Sequence, residues 1–155
     1  MLLLILVLLV SFHNPPLVTI TGKVVKVVDG DTFDVLDSSF KTIRIRMNGI
    51  DAPEKKQAFG EASRKQLASL CAGKLVRIVK YSTDRNKRWI ADSYVDGISL
   101  SHRMVQEGMA WHFVKYSSDT SLARLQQQAR AKKIGLWSDP HAIAPWDYRS
   151  KRLRN

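Results

Sequence analysis

The sequence predicts an α+β fold: a small barrel of five short antiparallel strands accompanied by three α-helices. Three observations carry this. Apolar and polar residues alternate through the Val-, Ile- and Thr-rich segments near the N-terminal third, the period of a half-buried strand. The dipeptides Asp29-Gly30, Asn48-Gly49 and Asp96-Gly97 supply turn chemistry at the segment ends. Three stretches with helical spacing each stop at a glycine: Gly73, Gly108 and Gly135.

Taken in order, 18–28 reads as a long strand with a bend or bulge at Gly22, and Thr32 to Leu36 returns as its hairpin partner. Asp37-Ser38-Ser39 turns the chain into 41–47, where Ile43, Ile45 and Met47 enter the core and Arg44 and Arg46 share the other face. Phe59, Ala62, Leu67 and Leu70 define the inner face of a first helix. Strands at 75–81 and 88–95 follow, joined by the polar loop 82–87. Leu100, Met104 and Val105 mark a second helix, 109–114 a short extended segment, and 119–133 a third helix with Leu122, Leu125 and Ala129 inward. The tail from Ser150 is basic and expected to fray. Five such strands suit the OB-fold, an architecture that binds oligonucleotides but does not by itself specify chemistry.

The chain has 155 residues, a net charge of +11 and a pI near 10.0, so a polyanion, above all nucleic acid, is the expected partner. A single cysteine, Cys71, excludes an intrachain disulfide and a cysteine-based zinc cluster, and it reads as a small buried residue. The four histidines show no metal-type pair. Residues 1–10 are wholly apolar and are followed by Pro15-Pro16. A run this short suits the core of an export signal, or a retained anchor, better than a membrane span. The expected organisation is therefore an apolar signal or anchor segment over 1–16, a folded domain over 17–148 and a basic tail over 149–155. Such a protein would be exported (secreted, periplasmic or membrane-anchored), with the domain acting as a monomer.

Chemistry concentrates in three clusters: Asp29-Gly30-Asp31-Thr32, the segment from Arg46 to Asp51-Ala52-Pro53-Glu54, and Arg85-Asn86-Lys87-Arg88. Each alone is compatible with an ordinary polar turn. Together they offer hard oxygen ligands, a proton acceptor and fixed positive charge, as phosphodiester cleavage requires. If the first three strands form a meander, Asp31 and Asp51 converge at one barrel end. Two carboxylates with the Ala52 carbonyl and waters would then suit Ca²⁺, whereas zinc would want nitrogen or sulfur. Pro53 holds Ala52 extended, which would present Glu54 on the same side.

Those residues in that order resemble the staphylococcal-type thermonuclease family. The similarity runs from about Val24 to Trp137 and includes V-D-G-D-T (28–32), R-M-N-G-I-D-A-P-E (46–54), D-R-N-K-R (84–88), Gly108-Met109-Ala110-Trp111 and Gly135-Leu136-Trp137. The resemblance implies a five-stranded OB barrel with three helices and a Ca²⁺-dependent phosphodiesterase. Its substrates would be DNA and RNA, single- or double-stranded, cut with low sequence specificity to leave 3′-phosphates. On this chain it implies Asp31, Asp51 and the Ala52 carbonyl as cation ligands, Glu54 at the attacking water, and Arg46 and Arg88 on the phosphate; Arg85, Lys87 and Tyr116, near those positions, are the expected substrate contacts. Two departures stand out. The family usually has Tyr-Gly where this chain has Asn86-Lys87, and a nucleotide-pocket tyrosine is replaced by Val114, with Tyr116 nearby. A different class, a catalytically silent OB-fold module that only binds nucleic acid, accounts for charge and fold but leaves Asp31, Arg46, Asp51, Glu54 and Arg88 without a purpose.

Overall fold

The computed structural model describes residues 17–154; the apolar run that was read as an export signal or anchor lies outside them. Strands β1 (Val18–Val27), β2 (Thr32–Leu36) and β3 (Thr42–Met47) form the expected meander. The two-residue β4 (Ile50–Asp51) and helix α1 (Gly60–Cys71) follow, then β5 (Leu75–Thr83), β6 (Trp89–Val95) and the short β7 (Ile98–Ser99). Helix α2 (Leu100–Gln106), the two-residue β8 (Trp111–His112), helix α3 (Thr120–Ala131), a 3₁₀ turn (Gly135–Ser138) and helix α4 (Pro145–Arg152) complete the order.

The main sheet runs β3-β2-β1-β5-β6-β7, and a parallel contact between β3 and β6 (Arg46 opposite Ile90) closes the five long strands into a barrel. Closure leaves neither β3 nor β6 as a free edge, and the alternating inner residues fill the interior. Phe33, Val35, Ile43, Ile45, Met47, Val76, Ile78 and Ala91 are buried there, each large side chain contributing about 2 kcal/mol of apolar burial. The irregularity in β1 falls between Val24 and Lys26, not at Gly22. Gly22 pairs regularly with Val76, and a Cβ there would stand 3.1 Å from the Val35 Cβ, so its small size admits the close approach of β2.

Helix α1 also differs from expectation. Leu67 is buried and Leu70 and Phe59 pack against the cores as expected, but Ala62 is exposed and the rest of the buried face is Gly60, Ser63 and Cys71. The apolar pattern misleads because two of the inward positions are small residues chosen for fit. A Cβ on Gly60 would meet the Glu54 carbonyl at 2.0 Å, and one on Gly30 would meet the Ser63 hydroxyl at 1.9 Å. The acidic turn and the Asp51–Glu54 segment are thereby pressed against α1. Cys71 is fully buried, and burial pushes its thiol up to about 12, so it is inert.

The described residues hold four α-helices where three were expected. The tail thought to fray from Ser150 is helical to Arg152, and the expected boundary at 148/149 falls inside α4. Pro145 at the first helical position and basic residues in the last turn both favour this helix. It docks through a second, aromatic core. Trp111 meets Trp137 edge-on with centroids 4.3 Å apart, and Trp146 of α4 lies edge-on to Trp111 at 5.6 Å and stacks on Phe113 at 5.1 Å.

Candidate active site

Asp31 stands between the β1–β2 turn and β2. Its amide donates to the Asp29 carboxylate at 3.0 Å, an Asx turn, and its carbonyl accepts the Met47 amide at 2.8 Å, locking the turn to the end of β3. Asp51 is carried by β4, whose pairing with β8 sets it opposite Trp111. The Ala52 amide donates to Asp31 Oδ2 at 2.7 Å, so the two acidic segments are directly hydrogen-bonded. That bond uses the Ala52 N–H; its carbonyl was the group expected to serve the cation. Glu54 is set by a small turn, its amide donating to Gln57 Oε1 and its carbonyl accepting the Gln57 amide.

Arg46 ties these elements together. Its Nε lies 3.3 Å from Asp31 Oδ1 and one terminal nitrogen 2.9 Å from Asp51 Oδ1. The other terminal nitrogen donates to the carbonyls of Met47 at 3.0 Å and Ile50 at 2.8 Å. With its side chain only 12 % exposed, Arg46 is a fixed, desolvated charge. Burial, reinforced by the neighbouring Asp31 charge, still lifts the Asp51 carboxyl above its ordinary range despite the hydrogen bond from Arg149. Burial first, and then Asp31, push the Asp29 carboxyl up to about 7. Negative charge is crowded at this end of the barrel.

Among the described residues no three Asp, Glu, His or Cys side chains converge in a metal-binding arrangement. A cation here would take Asp31 and Asp51, with backbone or water for the rest, and this hard-oxygen donor set fits Ca²⁺ or Mg²⁺ and not zinc.

The third cluster stands apart. Arg88 immediately precedes β6, which runs beside β3, so it enters next to the strand that carries Arg46. Its ion-pair partner is Asp84 at 2.9 Å, within its own loop, and its side chain is 29 % exposed. Arg85 and Lys87 are exposed on the same loop, and Tyr116 is exposed beside Phe113, centroids 4.8 Å apart. Lys87 adopts φ 60°, a left-handed conformation.

One residue of the cluster escaped the sequence reading. Arg149 of α4 places one terminal nitrogen 2.7 Å from Asp51 Oδ2 and the other 2.8 Å from Glu54 Oε1. Burial works against its charge, yet the hydrogen bonds to Asp51 and Glu54 raise its pKa further. Nothing in its local sequence marks it; only the docking of α4 brings it to the acids.

The family model for staphylococcal nuclease homologues matches residues 44–139, well over half of the chain. The protein belongs to the staphylococcal nuclease homologue family. It is 44% identical over 134 residues to an uncharacterized endonuclease of Escherichia coli O157:H7, covering 86% of this chain and 87% of that one. To a micrococcal nuclease of Shigella flexneri it is 39% identical over 147 residues (86% and 84% covered). A staphylococcal-like nuclease of Arabidopsis thaliana matches at 35% over 112 residues, 72% of this chain but 35% of that longer one. The family match begins at Arg44 and includes Arg46, Asp51, Glu54 and Arg88, while Asp31 and Arg149 lie on either side of it.

Proposed function

We propose that this family member is a Ca²⁺-dependent nuclease that hydrolyses DNA and RNA with low sequence specificity and leaves 3′-phosphate ends. The observation that carries the reading is the joint grip of the partly buried Arg46 on the buried Asp31 and Asp51, beside Glu54. A silent binding module would gain nothing from burying two carboxylates together, since each loses hydration on burial.

In this reading Asp31, Asp51 and the Ala52 carbonyl would hold the cation, which would supply polarisation of a phosphate oxygen. Glu54 accepts a proton from water as the water oxygen attacks phosphorus, and the bond from phosphorus to the 5′-oxygen breaks. The departing 5′-oxygen takes up a proton, giving a 5′-hydroxyl and a 3′-phosphate. Arg46 and Arg88 stabilise the charge that grows on the five-coordinate phosphorus. Backbone phosphates are common to every sequence, which accounts for low specificity.

The test is digestion of plasmid and single-stranded DNA and of RNA with Ca²⁺ or with chelator, beside Glu54→Gln, with end-group analysis of the products. Chelator should abolish cleavage, and Glu54→Gln should lower kcat by roughly 10²-fold. Equal degradation with and without chelator overturns the metal reading; DNA binding with no cleavage under any condition favours the silent module.

A further inference from the structure

Arg149 has no part in the reading above, yet its contacts to the acids are closer than those of Arg46. It spans Asp51 and Glu54 at 2.7 and 2.8 Å, and at 41 % exposure its guanidinium also faces solvent, unlike Arg46 at 12 %. A side chain that touches both carboxylates and also faces solvent is within reach of a phosphate entering from the open side.

Charge balance gives the contact a use. Three carboxylates (Asp31, Asp51 and Glu54) meet two guanidiniums, Arg46 and Arg149, which leaves one negative charge. A divalent cation turns that into one positive charge, which a phosphodiester neutralises. Without Arg149 the loaded site would be neutral and would offer a phosphate no net attraction. Arg149 and a cation also compete for Asp51 Oδ2, because that oxygen already accepts the 2.7 Å bond. Arg88 comes with its own partner, Asp84, and that neutral pair leaves the balance unchanged.

We propose that Arg149 is a phosphate-binding residue of the active site, supplied by α4: Asp51 and Glu54 hold it until Asp51 is given over to the cation, and it then pairs with the scissile phosphate. The position is rigid enough for such a role. Pro145 starts α4, Trp146 stacks on Phe113, and the Gln57 side chain beneath Glu54 donates to the Ile143 carbonyl at 2.6 Å. The inference rests on the nuclease reading given above.

The experiment compares native protein, Arg149→Ala, Arg149→Lys and, as a charge control, the exposed Lys151→Ala on the same helix. It measures Ca²⁺ affinity by calorimetry without nucleic acid, single-strand cleavage at saturating Ca²⁺, and thermal melting. Arg149→Ala should bind Ca²⁺ about 10-fold more tightly and lose about 10²-fold in kcat/KM. Arg149→Lys, keeping charge but not the two-pronged geometry, should lose about 10-fold, and Lys151→Ala less than about 3-fold. Arg149→Ala cleaving as fast as native, or faster, would make Arg149 a mere plug and overturn the proposal. So would equal losses in Arg149→Ala and Arg149→Lys that follow a lowered melting temperature. Failure of the nuclease reading appears separately, as absent or Ca²⁺-independent cleavage by the native protein, and takes this proposal with it.

Discussion

Arg46, on β3, and Arg88, in the loop that leads into the neighbouring β6, are held in opposite ways. Arg46 is bound by partners from four places in the chain: the β1–β2 turn, the end of β3, and both residues of β4. Arg88 is bound by one acid four residues earlier in the same loop. One charge is part of the fold, and the other is presented by a local loop. A site built this way has an interior half whose failure is structural and an exterior half that can vary while the barrel stands.

The largest effects should separate the two halves. Arg46→Ala leaves Asp31 and Asp51 buried with one guanidinium fewer, which costs about 3 kcal/mol and lowers the melting temperature by roughly 10 °C. Its rate should fall by 10² to 10³-fold. Arg88→Ala removes a half-exposed local pair, so stability should change by less than about 1 kcal/mol while the rate still falls about 10²-fold. Parallel melts and kinetics check this. Equal destabilisation by both substitutions would erase the distinction.

The difference also explains what was legible in the sequence. The barrel could be read because each strand advertises its inner face: Ile43, Ile45 and Met47 alternate with Thr42, Arg44 and Arg46, and the burial follows that alternation. The interior acids could be read because turn residues and arginines recur at fixed spacing around them. The α1 face was read only in part: Leu67 and Leu70 face the core, but Gly60 and Ser63 carry no hydrophobic signal and are there for close approach to Glu54 and Gly30. Helix α4 escaped because it has no apolar stripe. Pro145-Trp146-Asp147-Tyr148-Arg149 docks by one stacked tryptophan and two ion pairs, contacts that depend on residues 30 to 100 positions away. The proline at its first position was the available clue.

A smaller effect tests what positions Arg88. Asp84 accepts the amides of Asn86 and Arg88 and the Arg88 Nε, each at 2.9 Å. Burial pushes its carboxyl up, but the Arg88 amide and guanidinium outweigh burial and hold it below the ordinary 3.8. A depressed folded-state pKa means that the loop's stabilisation is complete above about pH 4 and is lost as pH falls through the depressed value. Asp84→Ala should therefore lower the rate about 10-fold at neutral pH, less than Arg88→Ala itself. In the native protein the Arg88 amide resonance should shift only below pH 4. An Arg88 amide that titrates near neutrality would break the assignment.

The smallest effect lies at Lys87, where this chain departs from the family's glycine. Its φ of 60° shows that the backbone keeps a left-handed turn, closed by the Lys87 amide on the Asp84 carbonyl at 3.0 Å. A side chain in that region costs about 1 to 2 kcal/mol, against about 0.5 to 1 kcal/mol of extra chain entropy that glycine would lose on folding. Lys87→Gly should therefore stabilise the domain by roughly 0.5 to 1 kcal/mol, visible as a small rise in melting temperature. Its removal of a positive charge should weaken nucleic-acid binding at low salt, and the difference should fade as salt is raised. Lys87→Asn separates the two terms, since asparagine tolerates the left-handed region but lacks the charge. Matching losses of low-salt binding in both variants, with the greater stability in glycine, would mean that lysine is kept here for phosphate attraction at the expense of backbone strain. A Lys87→Gly protein that melts lower than native would show instead that the lysine side chain stabilises the loop that carries Arg88.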